Sequence, residues 1–290
     1  MKPAFGSFEL RDRGSLQVRG RDFTWGSRTY VMAIVNVTPD SFSGDGVPES
    51  EAATAHALDQ WSAGADVLDF GGESTRPGHS AVDAGTEIAR VVPAIVAARS
   101  RVPDAPISVD TYKPAVVRAA HAAGADIVNS VWGGGDELLD IVAELGMPIV
   151  TMHNQNGTHY AGDVVDAVLK YLDDCATRAV LRGIAPERVL LDPGIGFGKT
   201  GDQNLRVLGA LDRIVGLGFP TLLGASRKAT IGKLTGRQPR DRVFGTVAIT
   251  ALAVAAGVDV VRVHDVAAAK DAVAVSDAVV RGWRPPAWTP

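Results

Sequence analysis

The sequence predicts an α/β protein, specifically a (β/α)8 TIM barrel with a short N-terminal β-hairpin. Short apolar runs alternate with amphipathic stretches from Tyr30 onward. Eight of those runs stop at a polar residue able to do chemistry, and one helix-to-strand passage recurs three times. Strands alternating with helices give right-handed βαβ units and a parallel sheet. A parallel barrel gathers the carboxyl ends of its strands around one pocket, so eight polar run-ends suggest one shared site. At 290 residues the chain is somewhat longer than the ~250 of a typical barrel. The competing fold, a doubly wound open sheet, wants a glycine fingerprint after its first strand, and Asn36–Asp40 contains no glycine.

The elements follow in order. Within residues 1–29, Phe8–Leu10, Leu16–Val18 and Phe23–Trp25, with Gly14 and Gly20 between them, read as a hairpin. It is placed as a lid over the amino-terminal mouth of the barrel. Residues 30–282 form the barrel itself. Its strands are Val31–Val35 before Asn36, Val67–Leu68 before Asp69, Ile107–Val109 before Asp110 and Ile127–Val128 before Asn129. Then come Pro148–Met152 before His153, Val189–Leu191 before Asp192, Thr221–Ala225 before Ser226 and Val260–Val261 before Arg262. Helices are predicted over Glu51–Ala63, Glu87–Arg99, Lys113–Ala123, Asp136–Leu145, Val164–Arg182, Gln203–Leu217, Asp241–Ala256 and Val266–Val280, several with apolar residues at helical spacing. The repeated passage is Ala63-Gly-Ala-Asp, Ala123-Gly-Ala-Asp and Ala256-Gly-Val-Asp, where Gly supplies the positive φ after a helix end. Residues 283–290 are a loose proline-rich tail.

Composition narrows the function classes. Hydrophobic residues make up 46% and charged residues 21%, the balance of a soluble globular protein. A formal charge of −4 argues against a nucleic-acid partner. No stretch is apolar for long enough to span a membrane, and the acidic and basic N-terminus does not read as a signal peptide. A cytoplasmic protein is the expectation. The lone Cys175 rules out an internal disulfide and reads as a small buried hydrophobe. The histidines are scattered without zinc-ligand spacing.

Several loops after strands carry chemistry. Asn36-Val-Thr-Pro-Asp-Ser-Phe-Ser-Gly-Asp-Gly46 reads either as a mobile loop over a site or as an ordinary turn, and Phe42 favours the former. In Gly71-Gly-Glu-Ser-Thr-Arg-Pro-Gly78 small residues allow backbone approach to a ligand, and Arg76 can bind an anion or stand on the surface. Asp192-Pro-Gly-Ile-Gly-Phe-Gly-Lys-Thr200 resembles a phosphate loop but has Pro193 where that loop needs Gly. Asp192 instead is a candidate acceptor for an amino-substituted ring, or a cap for its turn. Ser226-Arg-Lys228 and Arg262-Val-His-Asp265 follow strands seven and eight, where barrels commonly bind phosphate. Strand alternation turns Arg262 and His264 to one side, with ion pairs to Asp259 or Asp265 as the plainer reading.

Together these segments, with Ser108-Val-Asp-Thr111, resemble the dihydropteroate synthase family over nearly all of residues 24–282. The resemblance implies an enzyme, a transferase that joins (7,8-dihydropterin-6-yl)methyl diphosphate to 4-aminobenzoate, giving 7,8-dihydropteroate and diphosphate. It implies that Asp110, Asn129, Asp192 and Lys228 bind the pterin, and that Asn36, Thr75, Arg262 and His264 bind diphosphate, the last two as cations. Asn36 would also hold Mg²⁺. Thr75, Arg76, Pro77 and Phe197 would line the aminobenzoate pocket. Asp40 and Lys228 are the expected catalytic residues, with Asp40 stabilising a pterin-methyl cation left by early departure of diphosphate. A homodimer through the late helices is implied as well. The chain departs from the family where Ser130 replaces an Asp after Asn129 and where Ala229 follows Lys228. A non-catalytic pterin binder and a corrinoid-dependent methyltransferase are the competing functions.

Overall fold

The computed structural model describes residues 12–38, 49–73 and 81–289. Asp40, Phe42, Thr75, Arg76, Pro77 and the predicted Phe8–Leu10 run lie outside the described residues. Two short antiparallel strands, β1 (Ser15–Val18) and β2 (Arg21–Thr24), form the predicted hairpin. Eight parallel strands follow: β3 (Tyr30–Asn36), β4 (Val67–Gly71), β5 (Ile107–Asp110), β6 (Ile127–Ser130), β7 (Ile149–Met152), β8 (Val189–Asp192), β9 (Leu222–Leu223) and β10 (Val260–Val263). They are hydrogen-bonded in the order β8-β7-β6-β5-β4-β3-β10-β9. A parallel bridge between Leu191 and Thr221 joins the two ends and closes the barrel.

The helices pack outside. They are α1 (Glu49–Ser62), α2 (Ala84–Arg101), α3 (Pro114–Ala122), α4 (Asp136–Glu144) and α5 (Val164–Leu181), then α6 (Gly201–Leu208), α7 (Leu211–Val215), α8 (Ala229–Thr235), α9 (Val243–Ala255) and α10 (Val266–Val280). The single helix predicted over Gln203–Leu217 is two, broken at Gly209 and Ala210. α8, which starts directly after Lys228, is an addition to the eight predicted helices. None of the helices among the described residues is long and apolar enough to cross a membrane.

Alternation along each strand divides the apolar residues between two cores. Val31, Leu68, Ile107, Val128, Ile149 and Leu191 face the helix layer. Met32, Val67, Ile127, Val150, Leu190, Leu222 and Val260 face inward at the amino end, where Leu16, Val18, Phe23, Trp25 and Tyr30 plug the barrel. Burying each of these large side chains contributes about 1.5–3 kcal/mol. The hairpin therefore closes the amino-terminal mouth.

The repeated passage has a second use beyond its glycines. Gly64, Gly124 and Gly257 do adopt positive φ, at 96°, 106° and 91°. The aspartate two residues on accepts a backbone N–H where the neighbouring strand begins: Asp66 from Val31 at 2.8 Å, Asp126 from Ile107 at 3.0 Å and Asp259 from Thr221 at 2.9 Å. Each also takes an arginine from the N-terminal segment, Arg28, Arg19 and Arg13 respectively. Three ion pairs thus dock that segment onto the barrel floor.

Candidate active site

The strand pattern that buries Val67, Ile127, Leu190 and Val260 at the floor turns residues two positions later inward at the open end. Those residues are Asp69, Asn129, Asp192 and Arg262, joined by Asp110 from β5. Asp69 Oδ2 accepts from Arg262 Nε at 2.6 Å and from Asn129 Nδ2 at 3.0 Å. Arg262 Nη2 donates to Asp110 Oδ2 at 2.7 Å. The alternative ion pairs for Arg262 do not form: Asp259 pairs with Arg13, and Asp265 with Arg227. Asp69 was recognised in the sequence as a strand end but not as a site residue. Its role becomes visible only when β4 and β10 are brought to either side of β3.

Burial removes water from all of these groups and sets their charge. It raises Asp110, against the pull of Arg262. It raises Asp192, against the Gly194 N–H and the charges of Lys228 and Arg262. Burial works to lower Arg262, but the carboxylates of Asp69 and Asp110 outweigh it and hold the guanidinium charged. The second oxygens of Asp69 and Asp110 are buried without a protein partner. A buried acceptor left without a donor costs free energy, so such atoms suit a ligand that brings N–H groups. With its Nδ2 spent on Asp69, Asn129 offers its carbonyl oxygen as a further acceptor.

The segment after β8 folds back over the site. Asp192 Oδ1 accepts from Gly194 N at 2.7 Å, the short turn that an aspartate before Pro-Gly supports. Gly194 has φ 67°, and a Cβ there would stand 1.9 Å from the His153 carbonyl oxygen, so only glycine fits. α6 begins with a capping box between Thr200 and Gln203, which anchors the far end of the loop. Phe197 lies on this loop with the Lys228 Nζ 4.0 Å from its ring centroid. Lys199, unassigned in the sequence reading beyond its place in the motif, is buried there beside His153. Burial, aided by Lys228 and opposed by Asp192, lowers Lys199 to about 7.

His264 follows β10 with its Nδ1 3.0 Å from Ser226 Oγ. Burial, with Arg227 and Arg262 nearby, lowers it to about 3. The cationic His264 expected from the sequence is therefore a neutral imidazole. Asn36 stands half-buried at the end of β3. At the root of the second strand's loop, Lys113 bonds to both Glu73 and Glu87, and Arg90 donates to the Gly72 carbonyl. Cys175 is buried, and burial raises its thiol to about 11, in line with its reading as a hydrophobe.

Ser130 is buried and its hydroxyl has no partner. Ile127 and Asn129 share the inward face of β6, so alternation turns Ser130 toward the helices. The departure from the family at this position therefore falls behind the ring of acceptors rather than in it.

A closed (β/α)8 barrel with buried acceptors and cations at its carboxyl mouth defines a small-molecule enzyme of the barrel class. The pterin binding enzyme family matches residues 32–264, and the chain belongs to that family. A dihydropteroate synthase of Clostridium beijerinckii is 41% identical over 270 residues, covering 92% of this chain and 100% of that protein. One from Bacillus subtilis is 43% identical over 242 residues, covering 82% and 84%. The structure of Xanthomonas albilineans dihydropteroate synthase with 4-aminobenzoic acid superposes with a TM-score of 0.88 at 46% identity, covering 92% of this chain and 98% of that one. The same enzyme in complex with 7,8-dihydropteroate gives 0.85 at 45% identity, with the same coverage.

Proposed function

We propose that the chain is a transferase of folate biosynthesis that condenses (7,8-dihydropterin-6-yl)methyl diphosphate with 4-aminobenzoate to give 7,8-dihydropteroate and diphosphate. The single observation that carries the site assignment is the set of buried acceptors at the carboxyl ends of β5, β6 and β8: the unpartnered Asp110 Oδ1, the Asn129 carbonyl and Asp192. A pterin edge presents ring N–H and amino donors, and acceptors of this kind discriminate strongly against rings that lack them. Lys228, beside Phe197 and near Asp192, is assigned to the polar side of the ring.

The reaction breaks the C–O bond to diphosphate and forms a C–N bond to the amine, which releases a proton. Early departure of diphosphate leaves a pterin-methyl cation, for which Asp40 is the assigned stabilising carboxylate. Arg262, with donors beyond the two it spends on Asp69 and Asp110, is assigned to the departing diphosphate with Asn36, Thr75 and His264. His264 acts there as a hydrogen-bonding imidazole. Thr75, Arg76, Pro77 and Phe197 are assigned to the aminobenzoate pocket.

The donor set suits Mg²⁺ that arrives with the diphosphate. Asn36 offers one hard oxygen, and no cluster of three or more His, Cys, Asp or Glu able to hold a metal occurs among the described residues. Magnesium commonly keeps waters and substrate phosphate oxygens in its shell, and when bound it would offset charge on the leaving group.

A homodimer fits the late helices. α9 and α10 pack together and leave Phe244, Leu252, Val275 and Val279 exposed, an apolar surface of the kind that marks an interface. Light scattering is expected to give twice the chain mass, and a monomer at micromolar concentration would remove this part of the reading. The cytoplasmic assignment follows the same reading, and a chain with one cysteine needs no oxidising compartment.

The deciding experiment is product formation from the pterin diphosphate, labelled 4-aminobenzoate and Mg²⁺, beside Lys228→Ala. Labelled dihydropteroate from the parent and almost none from the variant supports the activity and the site together. No product from a parent that still binds pterin by calorimetry would shift the function to a non-catalytic pterin binder.

A further inference from the structure

Lys199 ends the β8–α6 loop, and its side chain turns into the protein with only 8% of the residue exposed. Its Nζ lies 3.0 Å from the Gly194 carbonyl oxygen, 3.1 Å from that of Phe197 and 2.8 Å from His153 Nδ1. An ammonium has three N–H donors and no acceptor, so these three partners use all of them. Burial and the neighbouring Lys199 keep His153 neutral, lowered to about 4, which leaves Nδ1 able to accept. The His153 backbone N–H is bonded to the Asp192 carbonyl, so the contact ties the loop to the end of β7.

Other fastenings of the loop lie around this centre, among them the Phe197 N–H, which donates to the Gly194 carbonyl at 3.1 Å. Gly196 N donates to Asn204 Oδ1 at 2.8 Å, and Tyr160 OH donates to the Gly198 carbonyl at 2.8 Å. Neither reaches the Phe197 carbonyl, whose donor is Lys199. We propose that Lys199 is a positioning residue for the acceptor amine: its Nζ, bonded to the Gly194 and Phe197 carbonyls and to His153, holds the loop so that the Phe197 ring stays against Lys228. The proposal rests on the assignment of Phe197 to the aminobenzoate pocket. Asp110 and Asn129 sit on β5 and β6, away from this loop, whereas Asp192 and Lys228 adjoin it, so pterin binding is expected to weaken less than aminobenzoate binding.

Lys199→Met keeps similar length and removes every donor. Two readouts are taken on the full chain: amide hydrogen exchange in residues 194–199, and steady-state kinetics with both substrates. The expected result is exchange in that loop faster by about tenfold or more, with aminobenzoate KM raised about tenfold, kcat within about threefold, and the pterin diphosphate Kd raised by less than the aminobenzoate KM. Lys199→Gln keeps two donors on a shorter chain and is expected to fall between parent and Met. It carries the same readouts if the Met variant does not fold. A side chain that only fills space would lower stability without moving KM. Unchanged loop exchange, or unchanged aminobenzoate KM in a folded variant, overturns the proposal. A parent without transferase activity overturns the functional reading instead, and the exchange measurement still decides whether Lys199 holds the loop.

Discussion

Asp69 on β4 holds Arg262 on β10 across the intervening β3, with Asp69 Oδ2 2.6 Å from Arg262 Nε. The same oxygen takes Asn129 Nδ2, so one fully buried carboxylate orients both a cation and an amide of the site. Arg262 is charged because Asp69 and Asp110 outweigh its burial. Taking Asp69 away leaves a buried guanidinium with one carboxylate and an amide without its acceptor. Breaking a buried pair in this way typically costs about 3–5 kcal/mol. Asp69→Ala is therefore expected to lower the unfolding free energy by an amount in that range, read as a lower urea midpoint at unchanged m, with pterin affinity falling as well. A variant as stable as the parent would show that the pair contributes nothing net.

Asp192 makes a separate test of the acceptor ring. One of its oxygens is occupied by Gly194 N, and the carboxylate is buried at the end of β8. Hydrogen bonds to a charged group are worth about 1.5–3 kcal/mol. Asp192→Ala is expected to weaken pterin binding by about that much in calorimetry. Unaltered affinity would remove Asp192 from the pterin site and restrict it to shaping the Pro193-Gly194 turn.

The polar ends of the strands were legible because each follows a short apolar run, and the barrel makes neighbours of all such ends. The hairpin was legible from its apolar pairs and Gly20, and its place at the amino-terminal mouth follows from the burial of Phe23 and Trp25 against Val67 and Ile127. The break at Gly209–Ala210 was not, since apolar spacing continues through Leu205, Leu208, Leu211 and Ile214 on either side of it. Asp69 was missed as a site residue because its partner lies 193 positions away in sequence and meets it only after closure. His264 as a cation came from the family resemblance, and the sequence does not show the burial that strips its proton. Lys199 left only a weak signal, a lysine closing a glycine-rich loop, which a phosphate loop also shows. Asp40 and Thr75–Pro77 rest on the family resemblance alone, as they lie outside the described residues.

The two buried imidazoles work against stability in acid. His264 is lowered from 6.5 to about 3, and His153 from 6.5 to about 4, both chiefly by burial. Below pH 6.5 the unfolded chain takes up protons that the folded chain refuses, so the unfolded state binds more protons and stability falls as pH drops. The contribution is fully present above 6.5 and is lost progressively toward pH 3. Asp110 and Asp192, raised by burial, act in the opposite sense, because the folded carboxyls hold their protons to higher pH. Asp259 and Asp277 are raised as well, so the sign that follows for His264 alone is read by difference: between pH 7 and pH 4 the urea midpoint of His264→Asn is expected to gain on that of the parent as pH falls. A constant difference between variant and parent would show that His264 titrates alike in both states.

The floor of the barrel yields the last test, far from the chemistry. Arg13 and Asp259 lie 2.8 Å apart with side chains 2% and 0% exposed. Asp259 also accepts from the backbone N–H groups of Gly26 and Thr221, one before β3 and one before β9. Arg13 Nε and Nη1 are buried without partners, so the guanidinium depends on this carboxylate and on the Gly257 carbonyl. Arg13→Ala leaves a buried carboxylate short of its cation and is expected to cost about 3–5 kcal/mol. Phe23→Ala, which opens the apolar plug, is expected to cost about 3–5 kcal/mol by cavity formation. Neither residue is near the acceptor ring, so pterin Kd in the folded variants is expected to match the parent within about twofold. Deletion of residues 1–28 removes both devices together and is expected to lower Tm more than either substitution. An unchanged Tm on that deletion would mean that the hairpin covers the floor without holding it.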